Sequence, residues 1–144
     1  MRVFKFGGAS VKDADGIKNV YDVLQKVGYE DVLLVVSAMG KTTNALEDVI
    51  KNYFEKSEEL NSSVQEVKKY HNQILLDLFE DEKNEVFAAV NALFSELEYF
   101  LAHNKSPNYN FVYDQIVSYG ELISTTILSH FMNFMGIKTQ WLDV

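Results

Sequence analysis

A lysine followed by two glycines stands near the start of the chain, in the segment KFGGAS at residues 5–10. A lysine at the end of a strand can extend its ammonium group beyond the sheet. Glycines after it let successive backbone N–H groups approach a phosphate closely. The segment lacks the spacing of a P-loop. Considered alone, it favours the alternative, a tight glycine turn beside a solvated Lys5.

Hydroxyl, amide and ammonium groups are concentrated in residues 37–44, SAMGKTTN, between a predicted strand and a predicted helix. Ligands of open α/β sheets bind beyond the carboxyl ends of the strands. The N–H groups at the start of a helix favour a carboxylate or a phosphate. The alternative is an ordinary connection in which Thr43 or Asn44 is the N-cap of the helix. Both interpretations can hold together.

A glycine, a carboxylate and several hydroxyls interrupt an apolar helix in residues 118–125, SYGELIST. Gly120 costs about 1 kcal/mol relative to alanine inside a helix, which indicates that something approaches the helix closely there. Glu121 could pair with the ammonium group of a substrate or with a lysine. The alternative is a solvated Glu121 beside a glycine that eases helix packing, and the segment alone favours this alternative.

The spacing of the histidines in the sequence does not predict a metal site. His71, His103 and His130 are widely separated, and none has a second ligand at a suitable spacing. We therefore predict no metal site in this chain. His71 is expected to pack or to cap within its helix.

The elements around these segments begin with a β-α-β unit. Residues 3–6 are predicted to form a strand, and a helix follows from Asp13 or Asp15 to a C-terminal cap at Gly28. The run VLLVV at residues 32–36 is continuously apolar, which predicts a strand buried on both faces, as in a parallel sheet. A short β-α-β connection is typical of doubly wound α/β folds.

A helical insertion is predicted after the second strand. Apolar side chains recur at helical spacing in residues 46–54, 64–78 and 86–101, and Ser63 with Glu66 has the spacing of a capping box. Residues 104–110 are predicted to be a loop. A further helix is expected from about residue 113 to Gly136, and a closing strand from residue 137 to 144. Because a bare apolar strand leaves its faces unburied, we expect the domain to continue beyond residue 144.

The composition of the chain restricts its class. The 144 residues are 47% hydrophobic, include no cysteine and carry a net charge of −8. This composition is typical of a globular domain and argues against nucleic-acid binding, which depends on clustered lysine and arginine. The sequence has no apolar run long enough to span a membrane and no signal-peptide pattern, so we expect no membrane association and a cytoplasmic location.

The segments KFGGAS, VVSAMGKTTNAL and SYGELISTTIL, in this order, resemble the aspartate kinases of the amino acid kinase family. The likeness extends along the whole chain to the closing GIKTQWLDV. It implies an α/β fold, a three-layer αβα sandwich. Residues 1–144 would be the N-terminal, amino-acid-binding part of its catalytic domain, with a helical insertion. The rest of the catalytic domain and the regulatory domains would be absent.

The resemblance also implies an activity: transfer of the γ-phosphoryl group of ATP, bound with Mg²⁺, to the β-carboxylate of L-aspartate. Lys5 would be the catalytic residue, offsetting charge in the transition state. The residues implied to lie along the phosphates are Lys5, Gly7, Gly8 and Ser10. The residues implied to bind aspartate are Ser37, Thr43 and Glu121, with Glu121 facing the ammonium group of the substrate.

The chain departs from the family pattern at Ala9, where threonine is common, so one hydroxyl near the phosphates is missing. The nucleotide-binding segments of the family would lie beyond residue 144. We therefore expect this polypeptide to be inactive alone. The resemblance also implies that the intact enzyme is a homo-oligomer. Two alternatives stay open: a family member with another carboxylate or phosphate acceptor, and a non-catalytic interaction module formed by the helices of residues 46–101.

Overall fold

The computed structural model describes residues 1–143, which form a small parallel sheet and a set of helices. The elements of this part, in chain order, are β1 (Arg2–Phe6), α1 (Ala14–Val27), β2 (Val32–Val36), α2 (Thr42–Phe54), α3 (Leu60–Phe79), α4 (Glu85–His103) and α5 (Tyr109–Phe134). The two strands pair in parallel, with Arg2 opposite Val32 and Phe6 opposite Val36. The predicted α/β class and the β-α-β start are confirmed.

Helix α1 is defined by local signals at both ends. The Asp13 side chain accepts a hydrogen bond of 2.8 Å from the N–H of Gly16, which satisfies one of the free donors of the first turn. Gly28 has a φ of 86° and donates its N–H to the carbonyl oxygen of Leu24, which ends the helix. Ile17 and Leu24 are buried on the face that meets the core. The predicted bounds of this helix are confirmed.

The sheet is covered on one face only within residues 1–143. Val36 is buried in the core, whereas Leu33 and Val35 are 38% and 43% exposed. On β1, Val3 is paired with Leu33 and is 61% exposed. The prediction that the second strand is buried on both faces is therefore wrong for the described residues. β2 is apolar along its whole length, but the helices of residues 1–143 cover only one of its faces.

Helices α2, α3, α4 and α5 form the larger part of the core, which confirms the predicted helical insertion. α2 packs against both α3 and α5, and α4 packs against α5. Their largest fully buried side chains are Leu46, Ile50, Leu75, Phe94, Leu97, Ile116, Ile123, Ile127 and Met132. None of the helices in residues 1–143 combines the length and apolarity that crossing a membrane requires.

Two of these helices begin earlier than predicted. Ser63 lies inside α3, where its hydroxyl donates to the carbonyl oxygen of Leu60 at 2.7 Å, so the predicted capping box does not start the helix. α5 begins at Tyr109, because the side chain of Asn108 accepts the N–H of Phe111 and acts as the N-cap. The first turn of α3 is mostly polar, whereas that of α5 already contains Phe111 and the buried Val112.

Residues 137–143 form no strand, so the predicted closing strand is wrong for this range, and the last residue of the chain lies outside the described part. The polar groups of this segment bond to α5. Asn133 exchanges two hydrogen bonds with the backbone of Thr139, and the indole N–H of Trp141 donates to the hydroxyl of Thr125 at 2.9 Å. The described residues provide no third strand with which the segment could pair.

Gly120 sets how closely α5 approaches the loop after β2. A Cβ atom at this position would lie 2.9 Å from the Cβ of Ala38 and 3.4 Å from a methyl group of Leu46. Ala38 is itself buried, so its Cβ cannot move aside. The glycine is therefore required for this packing.

We predict that Gly120→Ala lowers the free energy of unfolding by about 1 kcal/mol, measured by urea denaturation. Overpacking costs about 1–3 kcal/mol, which outweighs the roughly 1 kcal/mol that alanine gains over glycine in a helix. Ala38→Gly in the same chain should recover part of the loss, because it removes the opposing atom. Gln115→Ala, at an exposed position of α5, is the control. A Gly120→Ala chain more stable than the unsubstituted chain would contradict this packing.

Candidate functional site

The loops after β1 and β2 lie at the same edge of the sheet, because parallel strands end on the same side. Two backbone hydrogen bonds of 3.0 Å join them: Ser37 donates to the carbonyl oxygen of Phe6, and Gly40 donates to that of Gly8. A Cβ atom at Gly8 would lie 2.9 Å from the carbonyl oxygens of Ala38 and Gly40. Only glycine at this position lets the loops meet so closely.

The first loop presents free backbone donors. It turns at Gly7, whose carbonyl oxygen accepts the N–H of Ser10 at 3.0 Å. The N–H groups of Gly8 and Ala9 donate to no protein acceptor within residues 1–143. Successive free N–H groups in a turn form a concave site for an anion. The structure thus joins Gly7, Gly8 and Ser10 in one turn, as the glycine-containing segment predicts.

The second loop leads into α2 without a side-chain cap. Lys41 occupies the N-cap position but makes no capping hydrogen bond, and the helix begins at Thr42. The prediction that Thr43 or Asn44 is the N-cap is therefore wrong, since both lie in the first turn. Their N–H groups have no acceptor within the described residues 1–143. A helix start with free donors attracts a negative charge.

Helix α5 packs on the second loop. The hydroxyl of Ser124, which is fully buried, donates to the carbonyl oxygen of Ser37 at 2.8 Å. Gly120 lies one turn earlier, against Ala38. Glu121 is the next residue, and its side chain is exposed. The structure therefore brings the helix of Glu121 to the loop that contains Ser37, while the carboxylate itself faces solvent.

Lys5 lies on the strand and not in the loop. It is opposite Val35 in the parallel register, and both side chains are exposed on the uncovered face of the sheet. Within residues 1–143, Lys5 forms no ion pair with Glu121 or with any other acidic residue. Of the predicted site residues, Gly7, Gly8, Ser10 and Ser37 take part in the hydrogen bonds that form and join the two loops. Thr43 lies in the first turn of α2, and Lys5 and Glu121 extend into solvent.

Positive charge is concentrated around these loops, although the chain carries a net charge of −8. Lys5 belongs to β1, Lys12 to the first loop and Lys41 to the second. The first and second loops also meet at Lys12, since a Cβ atom at Gly40 would lie 3.5 Å from the Lys12 Cα. Lysines next to free N–H groups make a local site for an anion in an acidic protein.

Two further residues next to the loops come from α3, and the sequence interpretation gave neither a role in the site. Tyr70 donates its hydroxyl to the carbonyl oxygen of Lys12. His71 is fully buried, with its Nε2 3.4 Å from the hydroxyl oxygen of Thr42. The packing expected of His71 is confirmed. Its contact with Thr42 joins residues 29 positions apart, which no local pattern could predict. The one signal in the sequence is the polar pair Tyr70 and His71 within the apolar pattern of α3.

In the described part of the chain, no three histidine or acidic side chains lie close enough together to hold a metal ion. The site has hydroxyls, lysines and backbone N–H groups, which are donors. Lysines and backbone N–H groups are suited to bind an anionic group.

Comparison with known proteins identifies the family. The sequence model of the amino acid kinase family matches residues 1–144. The chain belongs to the amino acid kinase family. Two solved structures of Escherichia coli aspartokinase III share its α/β fold. The complex with lysine and aspartate has a TM-score of 0.80 and 26% identity, and the complex with aspartate and ADP has 0.82 and 24%. In each case the match covers 99% of this chain and 31% of the other.

The curated relatives of this amino acid kinase family member include several aspartokinases. The chain is 29% identical over 142 residues to bifunctional aspartokinase/homoserine dehydrogenase 2 of Escherichia coli K12, covering 99% of this chain and 17% of the relative. It is 31% identical over 148 residues to chloroplastic aspartokinase 1 of Arabidopsis thaliana, covering 98% and 25%. The resemblance seen in the three segments is confirmed, and the chain spans at most a quarter of these two relatives.

The burial of His71 makes the stability of this part of the site depend on pH. Burial lowers the pKa of His71 from its usual 6.5, and the hydrogen bond to the Val67 carbonyl oxygen opposes this only in part. There is therefore a pH window below 6.5 in which His71 is neutral in the folded protein, whereas in the unfolded chain His71 already binds a proton. Its contribution to stability is complete above 6.5 and is lost as the pH falls through that window.

We predict that the free energy of unfolding of His71→Gln falls less than that of the unsubstituted chain when the pH is lowered from neutral to the lowered pKa of folded His71. Urea denaturation at several pH values on both sides of 6.5 measures this dependence. The exposed His103 gives the control variant, His103→Gln, which should keep the dependence of the unsubstituted chain. Identical pH profiles for the unsubstituted and His71→Gln chains would show that His71 does not cause the loss.

Proposed function

We propose that residues 1–144 are the amino-acid-binding part of the catalytic domain of an aspartate kinase. Such an enzyme transfers the γ-phosphoryl group of ATP to the β-carboxylate of L-aspartate, giving 4-phospho-L-aspartate and ADP. The observation that carries the proposal is the junction of two donor-rich loops and α5 at one edge of the parallel sheet. The similarity to aspartokinases along the whole chain supports it.

The first loop is proposed to bind the phosphates of ATP. The free N–H groups after β1 can donate to phosphate oxygens, with Gly7 and Gly8 allowing close approach and the Ser10 hydroxyl adding a donor. Lys5 precedes this turn and has no competing ion pair within residues 1–143. Its ammonium group is proposed to offset the charge that develops on the transferred phosphoryl group.

The second loop and α5 are proposed to bind aspartate. Ser37 and Thr43 supply hydroxyls beside the uncapped start of α2, where free N–H groups favour a carboxylate. Glu121 offers an exposed carboxylate on the helix that packs against this loop, and we assign it to the ammonium group of the substrate. The donors and the single acceptor thus match the two carboxylates and the one ammonium of aspartate.

The proposed reaction needs positioning more than covalent help from the protein. A β-carboxylate oxygen of aspartate attacks the γ-phosphorus of ATP, and the bond from that phosphorus to the bridging oxygen of ADP breaks. Mg²⁺ enters with ATP as part of the substrate. Because the resemblance implies that the family's nucleotide-binding segments lie beyond residue 144, we propose that this polypeptide alone does not turn over ATP.

We predict that the full-length protein releases ADP in an aspartate-dependent way and that Lys5→Ala lowers kcat by about 100-fold or more. Loss of one group that stabilises transition-state charge typically has an effect of this size. A coupled assay of ADP release measures it. Lys26→Ala, which removes an exposed lysine at the far end of α1, is the matched control and should keep normal activity.

Two outcomes of this assay would contradict the proposal. Release of ADP with another acceptor but not with aspartate would show that the substrate assignment is wrong. A Lys5→Ala variant with normal kcat would show that Lys5 does not act on the transferred group.

We predict separately that Glu121→Gln raises the KM for aspartate by about tenfold or more, since hydrogen bonds to charged groups contribute about 1.5–3 kcal/mol. The KM for ATP should not change. Initial rates at varied concentrations of each substrate measure both constants. Asp114→Asn, another exposed carboxylate on α5, is the control. Equal increases in both KM values would argue against a specific contact with the amino acid.

A further inference from the structure

Two adjacent residues of α3 reach the two loops of the candidate site. The hydroxyl of Tyr70 donates to the carbonyl oxygen of Lys12 in the first loop, 58 positions away in the sequence. The same hydroxyl oxygen lies 2.6 Å from where a Cβ atom at Gly40 would be, so Tyr70 also touches the second loop. One side chain of the helical insertion thus contacts both loops where they meet.

His71 extends this contact into the start of α2. Its Nδ1 lies 2.8 Å from the carbonyl oxygen of Val67, so in the neutral imidazole Nδ1 carries the proton and Nε2 is an acceptor. The hydroxyl of Thr42 donates its one proton chiefly to the carbonyl oxygen of Met39 at 2.5 Å, so Nε2, at 3.4 Å, shares that proton only as a second, weaker acceptor. His71 thereby lies against the first residue of α2, immediately before the proposed aspartate ligand Thr43.

The contact between His71 and Thr42 is polar within an otherwise apolar core. His71 is fully buried and Thr42 is 2% exposed, among helices whose other buried residues are almost all apolar. A buried polar group is tolerated only where its partners are fixed, and a satisfied network favours one arrangement over others. The network therefore specifies where the second loop and α2 lie, beyond what hydrophobic contact defines.

We infer that Tyr70 and His71 are positioning residues of the proposed phosphotransfer site. They hold the loop of residues 7–13 and the segment of residues 37–43 in a fixed relation, so that donors to the phosphates and donors to the amino acid face a common space. The helical insertion thereby has a part in catalysis although neither residue belongs to the proposed binding set. The inference rests on the proposed function.

The test measures loop order and catalysis in the same variants of the full-length protein. Tyr70→Phe removes only the hydroxyl, with its contacts to the two loops, and keeps the aromatic ring. We expect backbone amides of the two loops, Gly40 above all, to exchange hydrogen about 3- to 10-fold faster, as for loss of one hydrogen bond. We expect kcat to fall by a similar factor. Tyr99→Phe is the matched control, because the Tyr99 hydroxyl is exposed and has no hydrogen-bond partner within residues 1–143.

His71 is tested by a pair of variants. His71→Leu keeps apolar volume and removes the contact with Thr42, so it should accelerate exchange in residues 37–43 and lower kcat. His71→Gln retains a polar group that can reach the hydroxyl and should restore both quantities at least in part. Thr42→Val combined with His71→Leu should have little more effect than either alone, because both remove the same interaction.

Three results would overturn the inference. The first is unchanged loop exchange and unchanged kcat in Tyr70→Phe and His71→Leu. The second is faster exchange spread over the whole chain and not confined to the two loops, which would mark a general role in stability. The third is no recovery in His71→Gln. If the unsubstituted protein shows no aspartate-dependent ADP release, the proposed function fails. The loop exchange rates then still decide whether Tyr70 and His71 hold the loops.

Discussion

The approach of the two loops at the carboxyl edge of the sheet is the constraint on which the rest of the site depends. The parallel pairing of β1 and β2 ends with Ser37 bonded to Phe6, and one further hydrogen bond, from Gly40 to Gly8, joins the loops beyond the strands. This bond requires a residue without a side chain at position 8, since a Cβ atom would collide with two carbonyl oxygens. Together with the close approach of Gly40 and Lys12, this bond holds the loop with free N–H groups against the loop that leads into α2.

Helices α5 and α3 connect these two loops to the rest of the chain. On one side α5 is fixed to the second loop by the hydrogen bond from Ser124 to Ser37 and by the close packing of Gly120. On the other side α3 contacts both loops through Tyr70 and His71. Helices that are distant from the two loops in the sequence therefore pack against both of them.

The elements that could be predicted are those defined by local chemistry. The bounds of α1 follow from an N-cap at Asp13 and a glycine at position 28, and three of the other helices follow from apolar periodicity. The glycine turn of the first loop was also recognisable.

Features that depend on distant partners could not be predicted. The apolar β2 and the segment of residues 137–143 are both suited to a buried strand, but whether their faces are covered or paired depends on other parts of the chain. The contact of His71 with Thr42 is likewise a tertiary contact between residues distant in the sequence.

The electrostatics of the chain explain why positioning matters so much at this site. The chain carries a net charge of −8, so its overall field opposes the approach of an anion, and three lysines in or beside the loops offset that field only locally. Most of the remaining attraction must come from backbone N–H groups. Such dipoles act over short distances and only in the right orientation, unlike a lysine, whose flexible side chain can follow its ligand. A site built from N–H groups therefore binds anions only as well as its loops are held, which gives the contacts of α3 and α5 with those loops a direct effect on the chemistry.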